Sequence, residues 1–289
     1  MKFDQTPFLV TEGKRVRLTK LPTRLAPLYA SKKDYHRQLA AGVGELTKLQ
    51  RLLYASDRYS VLLIFQSMDT AGKDGVIAHL LTGVNPQGCE VHSFKHPSAE
   101  ELDHDFLWRT TAHLPTRGRL GVFNRSYYEE VLIVRVHPTI LRSEGIPPEL
   151  LGERSVWQGR YRSIVNLEKH LHRNGTVVLK FFLHLSKNEQ RKRLLARIDD
   201  PAKNWKIGPA DVVERRSWDR YQSAYEDCLR ATGTKSAPWH IVPADDKFNA
   251  RLAVARVVIA KLQSLRMRFP TSTRARKTEL AALRRELAS

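Results

Sequence analysis

The sequence contains few cysteines and no long apolar segment. Only two cysteines, Cys89 and Cys228, occur among 289 residues and neither belongs to a CxxC pair, which excludes a disulfide framework. We expect both to be small buried residues. No run of 18 or more apolar residues exists, so no membrane-spanning helix is expected. The first residues also lack the apolar core of a signal peptide, and these absences together predict a cytoplasmic protein.

Acidic residues are scarce relative to basic ones. The chain has 49 Lys and Arg against 30 Asp and Glu, a net charge of +19. Residues 251–289 carry ten Lys and Arg against two Glu, but the remaining 250 residues still carry about +11. The excess is therefore not confined to a cationic tail. Such a charge attracts polyanions, which include nucleic acid, an anionic membrane and other phosphate polymers.

Short apolar runs alternate with helical patterns along the chain. Five runs are predicted strands: residues 61–66, 89–94, 119–124, 176–185 and 238–242. The predicted helices include residues 98–114, which begin with a Ser98-x-x-Glu101 capping box, and a helix that opens at residue 126. Alternation of this kind predicts an α/β fold, in which a parallel sheet carries helices on both faces. We predict one domain over residues 32–268, an extended basic arm over 1–31 and a basic C-terminal tail over 269–289.

The segment FQSMDTAGKDG (65–75) resembles a phosphate-binding loop with two departures. The usual pattern is Gly, four residues, Gly-Lys and then Ser or Thr; Gly72 and Lys73 match it, whereas Ser67 and Asp74 do not. The segment follows a predicted strand and opens a predicted helix, as the motif requires. Free N–H groups at the helix start can then bind phosphate oxygens together with Lys73. The alternative is a plain strand-turn-helix with a surface lysine.

The missing hydroxyl makes Asp69 the candidate metal ligand. The Ser or Thr of the usual loop ligates Mg²⁺, so the metal needs another oxygen donor here. A carboxylate among phosphates would repel them unless a cation lies between. Asp69 is therefore predicted to hold Mg²⁺ or to orient the attacking phosphate, and the alternative is an ordinary turn residue.

Two later segments carry further candidates. Asn124 and Arg125 follow the third predicted strand, where Arg125 could bind phosphate oxygens with its planar guanidinium. Glu129 either contacts substrate or completes a Ser-x-x-Glu capping box with Ser126. In the segment 193–206, basic residues on a helix and the following loop suit a lid that closes over phosphates. The alternative is a solvated basic helix.

Three segments together resemble the type 2 family of P-loop polyphosphate kinases. They are DTAGKDG (69–75), FNRSYYEE (123–130) and RLLARIDDPAKNWK (193–206), and the resemblance spans about residues 35–265. It implies a three-layer P-loop kinase fold with a five-stranded parallel sheet and a helical lid at about residues 187–209. It also implies reversible, direct in-line phosphoryl transfer between inorganic polyphosphate and a nucleotide. The implied cofactor is Mg²⁺, with Mn²⁺ as a substitute.

The resemblance also implies roles for individual residues. Asp69, Lys73, Arg125, Arg193 and Arg197 match catalytic positions. The predicted substrate-binding residues are Thr70, Ala71, Gly72, Asp74, Gly75, Lys95, Arg109, Asn124, Glu129, Lys203 and Lys206. For Lys95 and Arg109 the alternative is a plain surface charge. Asn124 followed by SYYEE is similar to the subgroup that accepts both AMP and ADP, in which Glu129 would contact the acceptor. The implied partners are polyphosphate, adenine or guanine nucleotides, and further copies of the chain in a dimer or tetramer.

Two other functions remain open from sequence. An ATP-dependent nucleoside monophosphate kinase of the thymidylate-kinase type shares the predicted fold, but the missing Ser or Thr after Lys73 disfavours it. A nucleic-acid-binding protein suits the charge, but the sequence has no CxxC…H finger and no RNP-like strand. We therefore expect no membrane contact and no specific nucleic acid.

Overall fold

The computed structural model describes residues 8–288, and for residues 153–155 the backbone alone. Within this range six strands form one sheet in the order β1-β6-β5-β2-β4-β3. The strands are β1 Leu9–Val10, β2 Ser60–Ser67, β3 Cys89–Ser93, β4 Leu120–Asn124, β5 Thr176–His184 and β6 Trp239–Pro243. Strands β2 to β6 pair in parallel, which confirms the predicted five-stranded parallel sheet.

Helices connect the strands, and in the described range two more helices follow the last strand, β6. The described α-helices are α1 Lys32–Ser56, α2 Lys73–Leu81, α3 Ala99–Leu102, α4 Trp108–Thr111, α5 Ile133–Val136, α6 Pro138–Arg142, α7 Glu153–Arg173, α8 Lys187–Ile198, α9 Pro209–Arg216, α10 Trp218–Thr232, α11 Lys247–Ser264 and α12 Arg274–Ala288. Among the described residues, none of these helices is both long and apolar enough to cross a membrane.

The sheet is buried on both faces. Every residue of β2 and β5 is buried, as near-continuous apolar runs in a parallel sheet predict. Side chains alternate across a strand, so Leu62 and Ile64 of β2 pack in a cluster with α7 and α10. Val61 and Leu63 pack on the opposite face with α1, α2 and α11. The fold is thus a helix-sheet-helix sandwich around its central strand.

A sixth strand lies inside the predicted arm. β1 pairs antiparallel with β6, with Leu9 opposite His240. Phe8, Val10 and Leu18 are buried against the cluster on the α7 face. The segment therefore packs on the domain, and the prediction missed it because two residues in a basic, proline-containing stretch show no period. Residues 1–7 of the predicted arm lie outside the described range, and the boundaries at 31 and 268 stay predictions.

Three local predictions differ from the structure. The helix predicted to open at residue 126 begins as a 3-10 helix, Tyr127–Val131. The helix predicted over 98–114 is limited to the single turns α3 and α4, although the Ser98–Glu101 capping box is present. Cys228 is buried as expected, but Cys89, on the edge strand β3, is partly exposed. Tertiary packing determines the two helices, and the position of β3 at the sheet edge exposes Cys89. Neither can be predicted from the periodicity of the sequence.

The candidate site lies where β2 and β4 end. These strands are neighbours in register, with Phe65 opposite Asn124. After β2 the chain forms β3 and β4 on one side of that strand. It then crosses over to form β5, which pairs with β2 on its other side. Ligands of open α/β sheets bind at the carboxyl ends of strands where such connections diverge. The loop after β2 and the segment after β4 therefore share one edge.

Candidate active site

The loop between β2 and α2 has the backbone shape of a phosphate cradle. Gly72 adopts φ +101° directly before α2, a conformation that a side chain would strain. Thr70 also has a positive φ, +62°. The sharp reversal directs the first N–H groups of α2 toward the space above the sheet edge, where they can bind anions.

Lys73 is anchored by the residue that departs from the usual motif. Its Nζ donates to Ser67 Oγ over 2.9 Å. Burial lowers the pKa of Lys73, and the nearby Arg125 lowers it further, while the charges of Asp69, Glu129 and Asp74 oppose both effects. Ser67 in place of glycine therefore holds the lysine across the loop when no phosphate neutralises it.

Arg125 stands between two carboxylates. Its Nη2 lies 3.4 Å from Asp69 Oδ1, and its Nη1 lies 3.7 Å from Glu129 Oε2. The charge of Glu129 raises the pKa of Arg125 against the opposing effect of burial. Burial raises the pKa of Glu129, while Arg125 and Lys73 limit the rise. The geometry orients the guanidinium of Arg125 beside the phosphate loop.

Glu129 does not form the capping box that its spacing suggested. The amide of Gln66, oriented to satisfy its neighbours, donates to Glu129 Oε1 at 2.7 Å and accepts from Ser126 N at 3.2 Å. Ser126 Oγ instead accepts from Tyr128 N. The capping-box interpretation is therefore wrong, because the side chain of Glu129 faces Arg125 and Gln66.

The donor set fits a magnesium ion that is held mainly by substrate. The carboxylate of Asp69 is 41% exposed at the base of the cleft. Asn124 Nδ2 donates to Asp74 Oδ1 over 2.8 Å. In the part of the chain that is described, no cluster of three or more His, Cys, Asp or Glu side chains could hold a metal. Mg²⁺ commonly binds through one or two carboxylates plus phosphates and waters, and Asp69 meets this requirement.

Arg193 is hydrogen-bonded to the loop that it was predicted to cover. Its Nη1 donates to Thr70 O and Ala71 O at 3.2 and 3.0 Å, and its Nη2 donates to Ala244 O at 2.7 Å. Its Nε donates to Glu189 Oε1 at 2.9 Å. The side chain is 7% exposed. The structure thus gives Arg193 contacts with the loop backbone, and its contact with phosphate stays a prediction.

The rest of the predicted lid is helical and basic. It comprises α8, a short 3-10 helix Asn204–Lys206 and the start of α9. Lys203 pairs with Asp200, and Lys206 Nζ lies 4.9 Å from the ring centre of Trp205. Trp205 is 74% exposed. Residues 201–206 are exposed, and their closure over a ligand stays a prediction.

All sixteen predicted site residues line one of two adjoining cavities. A cleft of about 1040 Å³ above the phosphate loop contains fourteen of them. Glu129 and Arg109 line a second cavity of about 610 Å³. The two cavities share Phe94, Lys95, His96 and Arg125. Lys95 is exposed, but Arg109 is buried and donates to Lys95 O over 2.8 Å, so the interpretation of Arg109 as a surface charge is wrong.

The cleft is strongly basic. Its lining includes four acids and ten Lys or Arg, namely Lys73, Lys95, Arg125, Lys192, Arg193, Arg197, Lys203, Lys206, Lys247 and Arg251. Sequence analysis missed Lys192, Lys247 and Arg251. The last two lie one turn apart at the start of α11, directly after β6. Their position after a parallel strand was the available signal, because every such strand ends at the site edge.

The second cavity is mostly apolar. Its walls include Phe94, Leu102, Phe106, Ile133 and Val134. Arg109 lies over the ring of Phe94 at 5.4 Å. An apolar cavity of this size with a few polar groups is typical of a site for a small organic molecule. It adjoins the basic cleft at Lys95 and Arg125, which line both.

A phosphate loop at the carboxyl end of a parallel sheet, under a basic cleft, defines a P-loop phosphotransferase. The model of the family "Polyphosphate kinase 2 (PPK2)" matches residues 29–270. The chain belongs to this family.

Individual relatives agree with that assignment. The chain is 61% identical over 287 residues to an "ADP-polyphosphate phosphotransferase" of Rhodopseudomonas palustris, covering 99% of each chain. It is 45% identical over 225 residues to an "AMP/ADP-polyphosphate phosphotransferase" of Meiothermus ruber, covering 78% of this chain and 80% of the relative. The crystal structure of polyphosphate kinase 2 from Arthrobacter aurescens TC1 superposes with a TM-score of 0.87 at 38% identity, covering 98% of this chain and 96% of that chain.

Proposed function

We propose that this protein is a polyphosphate-dependent nucleotide kinase, which transfers a phosphoryl group reversibly between inorganic polyphosphate and AMP or ADP. The observation that carries the proposal is the junction of two unlike cavities at Lys95 and Arg125. The basic cleft suits a long polyanion, and the apolar cavity suits a nucleoside. The printed names of the relatives from R. palustris and M. ruber support the same substrates.

In this proposal each residue of the site has a separate role in in-line phosphoryl transfer. Such transfer depends mostly on positioning and charge neutralisation. The start of α2 and Lys73 bind oxygens of the phosphoryl group, and Arg125 neutralises charge where cleft and cavity meet. Glu129 and Asp69 fix the direction of the Arg125 guanidinium. Bound Mg²⁺ supplies further neutralisation of phosphate charge, and Asp69 would hold it.

A donor-swap assay tests this function. Purified protein with Mg²⁺ is given either polyphosphate or ATP as donor, and AMP, ADP, GMP or GDP as acceptor. We expect polyphosphate to serve as donor and AMP to yield ADP. Lys73→Ala should abolish turnover without unfolding the protein, as circular dichroism would check. Turnover with ATP alone would instead support the nucleoside monophosphate kinase.

Some expectations stay predictions. A cytoplasmic location and a dimer or tetramer are two of them. Filter binding of polyphosphate against single-stranded RNA would decide whether the cleft prefers the phosphate polymer. Equal retention of both would favour the nucleic-acid-binding alternative.

A further inference from the structure

The apolar cavity contains a buried ionic group that the proposed function does not use. Arg160 of α7 is 4% exposed and pairs with Glu130, with 3.4 Å between Nη1 and Oε2. It pairs through Nη2 with Glu144 Oε2. The guanidinium lies 5.0 Å from the ring centre of Phe106. All four residues line the cavity.

One oxygen of this group has no hydrogen-bond donor. Glu144 Oε2 is occupied by Arg160, but Glu144 Oε1 is buried and unpartnered among the described residues. The side chain of Glu144 is only 11% exposed. A buried acceptor without a donor is costly, and such an atom in a native protein requires an explanation. Glu144 lines the cavity, so a ligand that fills it can supply the missing donor once the carboxylate turns toward it.

The chemistry of the cavity indicates which ligand group this donor is. The phosphates of a bound nucleotide belong at Arg125 and Lys95, where the cavity joins the cleft. The base then extends into the apolar part, where Phe106 and Leu102 form the wall. Adenine carries an exocyclic amino group on its six-membered ring, whereas guanine carries an acceptor oxygen at the same position. At this position only the amino group of adenine can donate a hydrogen bond to a carboxylate oxygen.

We propose that Glu144 recognises the acceptor base by accepting a hydrogen bond from the 6-amino group of adenine at Oε1. Arg160 is the positioning residue that fixes Oε2 and so presents a single free oxygen. A 6-oxo purine places its own acceptor against this carboxylate and is rejected. This inference rests on the proposed function and specifies its base preference.

The test compares AMP with IMP, in which an oxygen replaces the 6-amino group. With polyphosphate as donor, we expect wild-type kcat/KM for AMP to exceed that for IMP by about 100-fold, the upper range for losing a hydrogen bond to a charged group. Glu144→Gln can turn an amide N–H toward the oxygen of IMP, so the ratio should narrow at least about tenfold. Glu100→Gln, an exposed acid of α3 outside the cavity, should keep the wild-type ratio.

A second measurement keeps the proposal testable if Glu144→Gln does not fold. Wild-type protein is given purine riboside monophosphate, which has no group at position 6, and kcat/KM should fall about tenfold from that of AMP, the lower range for losing a hydrogen bond to a charged group. Equal kcat/KM for AMP and IMP, or an unchanged ratio in folded Glu144→Gln, would overturn the proposal. If polyphosphate serves no acceptor, the proposed function fails first, and calorimetric binding of AMP against IMP then decides the role of Glu144 alone.

Discussion

The guanidinium of Arg193 donates from Nη1 to the carbonyl oxygen of Ala71 over 3.0 Å. Through Nη2 the same group reaches Ala244 O, just past the end of β6. One side chain therefore joins α8, the phosphate loop and the sheet edge. We propose that the orientation of the first N–H groups of α2 depends on this connection.

Arg193→Lys should lower kcat more than it raises the KM for polyphosphate. Lysine has a single ammonium group and cannot replace a planar group with several donors, so the loop loses part of its support. A displacement of about 1 Å in a reacting geometry can cost about 100-fold in rate, and we expect a loss of kcat of that order in steady-state assays with AMP.

Arg197→Lys provides the matched comparison. Arg197 lines the same cleft one turn further along α8 but is only partly buried. We expect a modest increase in the KM for polyphosphate with little change in kcat. If both variants change the same kinetic constant to the same extent, the loop-supporting role of Arg193 is wrong.

Salt should weaken polyphosphate binding steeply. The cleft lining holds ten cationic residues, including Lys247 and Arg251 of α11. Binding a polyanion at such residues releases counterions, so the logarithm of affinity falls linearly with the logarithm of salt concentration. Arg251→Gln should reduce the slope by about 1, as measured by the KM for polyphosphate at several salt concentrations.

Lys277→Gln is the control for this measurement. Lys277 lies on α12, which is exposed along its described length and does not line the cleft. An unchanged slope would assign polymer binding to the cleft. A reduction equal to that of Arg251→Gln would show that the basic tail also contacts the polymer and that the cleft is not its whole binding surface.

Local features of the site could be predicted from the sequence, and long-range contacts could not. The phosphate loop requires only a buried strand, Gly72, Lys73 and a helix start, all within a few residues. Arg193 was recognisable as a basic lid residue, but its bonds to Ala71 and Ala244 depend on where α8 and β6 lie in space. Glu129 shows the opposite error: its local capping pattern predicted a contact that the structure replaces with a long-range contact to Gln66 and an i,i+4 ion pair with Arg125.

Lys180 should be intolerant of single replacement. It interrupts the apolar run of β5, and its Nζ lies 2.6 Å from Glu168 Oε2 with both side chains fully buried. It also donates to Thr232 O over 2.7 Å. Lys180→Met leaves Glu168 buried without its cation, which typically costs about 3–5 kcal/mol in the free energy of unfolding. Urea denaturation measures this loss.

The double variant Lys180→Met/Glu168→Leu tests whether the loss in Lys180→Met comes from leaving Glu168 charged and unpaired. Replacing both charges removes the uncompensated group, so the double variant should be more stable than Lys180→Met alone. The hydroxyls of Tyr127 and Tyr128 then lose their acceptor, which costs less than an unpaired buried charge. A double variant whose loss equals the sum of the two single losses would show that the two residues act independently.

The free energy of unfolding should depend on pH through Glu130. Burial, reinforced by the charge of Glu144, raises the pKa of Glu130 from 4.5 to about 7. A carboxyl whose pKa is raised by folding contributes stability below its unfolded pKa, and that stability is lost as pH rises through the folded value. As the pH rises from 4.5 to above 7, the titration of Glu130 should therefore lower the free energy of unfolding by up to about 3 kcal/mol.

Glu130→Gln removes this titration while retaining the shape of the side chain. Urea denaturation at a series of pH values between 4.5 and 8 should show a smaller decline in stability for Glu130→Gln than for the wild type, whatever its stability at the lowest pH. Glu100→Gln, an exposed acid on α3, should retain the wild-type decline. Parallel curves for Glu130→Gln and the wild type would show that folding does not shift the pKa of Glu130, because a group with the same pKa in the folded and unfolded states contributes no slope.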